Sequence, residues 1–210
     1  MNLDDIKIYL PKFLSADSER ELFNGLKDFP ENIDERLYTT YLIDSKIIYQ
    51  GDGLNNLLVI NLPQSDIKVA PGIILSNTCD IDLQNHRNFP SQIVYAPIFN
   101  LEKYKEALLK NSKKTEQQID DHIKAIKKQE ITQIFYLPRF QGKLDESIVF
   151  LDRVNNMPNN SIDREKVPNN RIFTLSDYGA YLFLLKISVH FTRIRDNVER
   201  KGVSIRSSPS

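Results

Sequence analysis

Between residues 38 and 94 the apolar residues come in short β-rich runs, 38–49, 57–62, 73–76 and 93–96, separated by Gly51, Asp52 and Gly53, by Pro63 and by Pro71. Such β-rich runs, punctuated by Gly and Pro, predict by their spacing a small antiparallel barrel. Two further strand-like runs, 130–137 and 147–151, return the chain to that sheet, so the barrel core is expected to span about residues 38–151.

Helical signals surround and interrupt this core. Ser15 or Ser18 can cap a short N-terminal helix over 19–27, closed by Pro30, with Leu22, Phe23 and Leu26 as its apolar face. Residues 101–128 turn helical in two pieces, because Asn111 and Ser112 interrupt the first while Thr115 and Gln118 offer a capping box for the second. Ile119, Ile123 and Ile126 then form an apolar stripe at helical spacing. A polar stretch rich in Asn and Pro, 155–170, reads as a loop or mobile flap. Thr174 or Ser176 opens a long C-terminal helix over about 176–201, and 204–210 reads as a flexible tail. The whole is an α+β chain with one domain over 1–203.

The C-terminal helix is apolar almost all round from Tyr178 to Phe191, yet Lys186, Ser188 and His190 interrupt it. The run is also shorter than the roughly 18 to 20 residues a bilayer requires, so no membrane association is expected. Core burial and a partner interface both explain such a helix. The 28 basic and 28 acidic residues cancel, which removes any global field toward a polyanion and leaves only local patches. Residues 1–37 hold five basic and nine acidic residues, and residues 186–206 hold six basic and two acidic. The basic end makes Arg193 and Arg195 candidate binding residues, against the plainer reading of a solvated surface. A single cysteine, Cys79, and a start lacking a basic apolar leader predict a reducing cytoplasm.

The segment Ser76, Asn77, Thr78, Cys79, Asp80, Ile81, Asp82 places hydroxyls, an amide, a thiol and two carboxylates directly after an apolar run, with His86 and Arg87 close behind. Thr78 and Asp80 could orient a ligand or nucleophile, Asn77, Asp82 and His86 could bind it, and Arg87 could hold a phosphate. The same residue types also form side-chain-to-backbone turns, and a small cysteine after a strand is commonly buried. On that ground Cys79 is expected to be mostly buried. His86, His122 and His190 lie in separate segments, His122 on a solvated helix face and His190 on the apolar helix. No metal site and no cofactor are expected from that spacing.

Gly51 and Asp52, Ala70 and Pro71, the apolar run 73–76 ending in Ser76, and Ala96, Pro97 and Ile98 follow one another in a layout that resembles the MazF/PemK family of bacterial toxin–antitoxin proteins. The resemblance covers residues 51–99 and implies an SH3-like barrel decorated by the helices above. It also implies a role in toxin–antitoxin or phage-defence systems, with a protein partner or single-stranded RNA as the bound species and a homodimer left open. The family's ribonucleases place Arg immediately before the matching Pro, where this chain has Ala70. Binding is therefore the leading expectation. A metal-independent endoribonuclease using Thr78, Asp80 as base and Arg87 as phosphate stabiliser is one alternative. An immunity or antitoxin-like subunit docking through the C-terminal helix is another.

Overall fold

The computed structural model of the protein describes residues 35–86 and 88–192, together with 17, 20 and 24. The expected helix over 19–27, Arg20 and Asn24 apart, the tail from 204, Arg87, Arg193 and Arg195 lie outside the described residues. Among the described residues eight strands form an antiparallel sheet: β1 (Tyr38–Thr39), β2 (Gly53–Ile60), β3 (Ile67–Ile74), β4 (Gln92–Asn100), β5 (Ile134–Leu137), β6 (Ser147–Phe150), β7 (Asn155–Pro158) and β8 (Arg171–Leu175). Asp17, Arg20 and Asn24 are helical, and among the described residues from 35 on the α-helices are α1 (Thr78–Ile81), α2 (Leu101–Asn111), α3 (Glu116–Lys127), α4 (Val167–Asn170) and α5 (Asp177–Thr192).

The strand order is β1-β8-β2-β3-β4-β6-β5, with β7 paired to β4. Among the described residues this is an open sheet of eight strands rather than the small closed barrel expected from the sequence. Long β4 divides its pairing: Gln92–Tyr95 faces β7, and Ile98–Asn100 faces β6. The sheet curls enough for β2 and β7, which share no ladder, to meet where the Ile60 N–H donates to Asn155 Oδ1 at 2.8 Å. The apolar runs 73–76 and 93–96 lie in neighbouring strands, Ile73 opposite Ala96 and Ile74 opposite Tyr95.

Strand alternation explains why these runs are continuously apolar. Ile73 and Ala96 enter one buried cluster, with Phe135, Phe173, Leu182 and Phe183, whereas Ile74 and Tyr95 enter another with Leu57, Ile81, Met157 and Val167. Both faces of the central strands are covered, so neither face has to be polar. A third cluster, Leu101, Ile126, Ile134, Tyr136, Ile148 and Phe150, fastens the helical insertion to β5 and β6. The capping box is present, with Thr115 Oγ1 accepting from the Gln118 N–H and the Gln118 side chain returning to the Thr115 N–H.

Three expectations are corrected. Residues 40–50 form turns rather than a continued strand, because the guanidinium of Arg171 draws the carbonyls of Leu42, Ile43, Ser45 and Ile47 inward. The stretch 155–170 is not a flap: it contains β7 and α4, anchored by buried Met157 and Val167. Thr174 belongs to β8, all five of whose residues are buried, and the helix is opened by Ser176, whose Oγ accepts from the Gly179 N–H at 3.1 Å. Within α5, Leu182, Phe183 and Lys186 are buried while Val189 and Phe191 remain exposed. Lys186 donates to the backbone oxygen of Gln129 at the end of α3, and burial pushes its pKa down to about 8. Among the described residues no helix is long and apolar enough to cross a membrane.

Candidate functional site

The polar segment after β3 forms the single turn α1, and most of its side chains shape that turn. Asn77 caps it, its Oδ1 accepting from the Cys79 N–H at 2.9 Å. Asp82 closes it in the same way, accepting from the Gln84 N–H at 2.9 Å. The Asn85 side chain donates to the Cys79 carbonyl at 2.9 Å. Ile81 alone turns inward to the core, which leaves Cys79 on the outer side of the turn. The expectation of a buried Cys79 is thus wrong: one helical turn has one inward position here, and the isoleucine takes it.

Two braces outside the segment hold the turn in place. On one side the Gln50 N–H donates to Thr78 Oγ1 at 3.0 Å, and Gln50 Nε2 donates to the Leu75 carbonyl at 2.7 Å. On the other, buried Asn159 donates to the Ile81 carbonyl at 3.0 Å and to Ser91 Oγ at 2.9 Å. Arg164 reaches the same Ile81 carbonyl at 3.2 Å and the Ile162 carbonyl at 3.1 Å. Burial lowers the Arg164 pKa from its ordinary value, and the charge of Asp82 opposes that shift. Gln50, Asn159 and Arg164 were not legible as site residues, since they lie far from the segment in sequence and two belong to the stretch read as a flap.

Of the expected catalytic set, Thr78 and Asp80 share α1 and Arg87 lies outside the described residues. Thr78 is half-buried under the Gln50 amide, whereas Asp80 and His86 are exposed. Of the expected binding set, Asn77 and Asp82 are the two ends of the turn, and Arg193 and Arg195 lie outside the described residues. On the braced turn Cys79 and Asp80 are exposed, and so are His86 and two apolar side chains in the chain that follows it, Leu83 at 53% and Phe89 at 82%.

The remaining histidines belong elsewhere. His122 is half-buried rather than solvated, with its Nε2 3.1 Å from Tyr104 Oη, and burial lowers its pKa. His190 stacks edge-on against Phe191. Among the described residues no group of three or more His, Cys, Asp or Glu stands where it could hold a metal ion. No protein-family model matches the chain, and no curated protein matches it significantly.

Proposed function

We propose that this protein is a binding subunit of a bacterial toxin–antitoxin or phage-defence system, and that the braced loop following β3 is the surface it offers to a protein partner. The observation that carries this reading is the division of labour in the loop. Asn77, Thr78 and Asp82 hold the turn, while Leu83 and Phe89 project into solvent. An exposed apolar side chain beside a braced turn, as Leu83 is, costs little conformational entropy to bury, which suits recognition of another protein. The system class rests on the MazF/PemK-like layout of residues 51–99. It is supported by the way those segments meet: Gly53 opposite Ile73, Gly72 opposite Pro97 and Ile73 opposite Ala96. The curl that brings Ile60 to Asn155 supports reading the sheet as an SH3-like barrel in that sense.

Asp80→Ala and Phe89→Asp test the loop directly, because both positions are exposed and surface substitutions ordinarily change stability by only about 0.5 kcal/mol. Each is expected to abolish the protein's effect on bacterial growth or phage plating while its thermal unfolding stays close to that of the parent. Full cellular effect in two folded variants would remove the loop from consideration.

A further inference from the structure

At the far end of the sheet, β5 has no strand on its outer side among the described residues. The Leu151 N–H donates to the Gln133 carbonyl, so by alternation Phe135 and Leu137 turn their backbone groups to β6 while Ile134 and Tyr136 turn theirs outward. Outward N–H and C=O groups on an edge strand are a template for another strand. Here the chain itself closes them. The Ile134 N–H donates to the Ile131 carbonyl at 3.0 Å. The Tyr136 N–H donates to Gln129 Oε1 at 3.1 Å, and Gln129 Nε2 donates to the Tyr136 carbonyl at 2.8 Å. One side-chain amide thus takes both bonds that a residue of an adjacent antiparallel strand would exchange with Tyr136.

We infer that Gln129 and Lys186 form a latch by which α5 keeps the outer edge of β5 shut. Gln129 stands just past α3 with a φ of 57°, a left-handed conformation that residues other than Gly seldom adopt. Its N–H donates to the Ile126 carbonyl at 2.9 Å, and its own carbonyl accepts from Nζ of Lys186 on α5. Gln129 and Lys186 are both buried, and a buried carbonyl in that position has to be met by a donor. The donor comes from the same helix that packs Phe183 against Phe135 of β5, with ring centroids 5.1 Å apart. Lys186 thus fixes the backbone of Gln129, and Gln129 in turn closes Tyr136. The seat of α5 and the closure of the edge are linked through one residue. Release of the amide would leave the Tyr136 N–H and C=O to pair with an extended peptide backbone, the partner that an open strand edge accepts.

Amide hydrogen exchange of the full chain, followed residue by residue by NMR, tests the latch. Lys186→Met keeps an unbranched apolar stem and removes the donor, whereas Gln129→Ala removes the amide itself. Each is expected to speed exchange at the Tyr136 N–H by about tenfold or more, while the Phe135 and Leu137 N–H groups, which face β6, keep the parent's rates. Faster exchange in Lys186→Met is the decisive result, because that variant still carries the Gln129 amide. Should Gln129→Ala lose its fold, Lys186→Met gives the answer alone. A folded Lys186→Met with the parent's rate at Tyr136 overturns the inference. So does a loss of fold in that variant, or faster exchange spread evenly over all three amides, since either would make Lys186 a packing residue only.

Discussion

Arg171→Ala is expected to lower the free energy of unfolding by at least about 3 kcal/mol, the cost of removing one partner from a buried ion pair. The Arg171 and Asp52 side chains are both fully excluded from solvent, with Nη2 2.9 Å and Nε 3.2 Å from the same carboxylate oxygen. Burial raises the Asp52 pKa and the Arg171 guanidinium opposes that shift, so the pair is a poor source of net attraction and a strong reason not to lose one member. The remaining guanidinium hydrogens serve the carbonyls of Leu42, Ile43, Ser45 and Ile47, tying turns from residues 40–50 to a strand more than a hundred residues away. In the alanine variant the carbonyls of Ile43, Ser45 and Ile47 lose this donor, while that of Leu42 keeps the Ser45 N–H. Lysine does not replace the fork, because one ammonium with three donors cannot span these acceptors in the plane that a guanidinium provides. Urea unfolding of the parent and the variant measures the difference. A loss below about 1 kcal/mol would mean that Arg171 is a bystander in this fold.

Gly179→Ala is expected to destabilise the protein, opposite to the gain of about 1 kcal/mol that this substitution brings in an ordinary helix. A Cβ at position 179 would lie 2.1 Å from the Leu37 carbonyl oxygen and 3.0 Å from its carbon. That oxygen cannot move aside cheaply, since it accepts from the Ser176 N–H at 2.9 Å where the helix begins. The first turn of α5 would have to lift from Leu37, opening the cluster that buries Leu37, Leu182 and Phe183. Overpacking of this kind costs about 1–3 kcal/mol and more where only backbone can yield. A melting temperature equal to or above the parent's would show that α5 does not sit against Leu37 as described.

Both predictions depend on contacts that the sequence conceals, and the reason is the same in each. Local signals were readable: the capping box at Thr115, the serine cap at Ser176 and the apolar runs of β3 and β4 all concern residues within a few positions of one another. Strand β8 was missed because Thr174 and Ser176 both offer themselves as helix caps, and a five-residue strand beside them leaves no periodicity to count. Pro71 looked like the end of a strand, yet it lies inside β3 opposite a bulge. Gly72 pairs with Leu54 and Ala70 with Leu57, so Asn55 and Asn56 together face the residue that has no N–H to donate. The bulge is also where Asn56 adopts a φ of 64°.

The site divides along the same line. That residues 76–82 form a polar turn was legible from Asn, Thr and Asp. That Cys79 faces outward was not, because a four-residue helix gives no stripe from which to read an inward side. Gln50 reaches the turn where the chain entering β2 bonds to the end of β3, and Asn159 where β7 runs beside β4 and its chain bonds on to Ser91, pairings between segments well apart in sequence.

Incubating the pure protein in molar excess with single-stranded RNA, in the presence of a chelator, puts the central claim to its most direct test. A binding subunit whose turn residues are committed to holding a loop leaves the RNA intact. Cleavage that disappears in Thr78→Ala or Asp80→Ala would contradict that account and make the turn an active site.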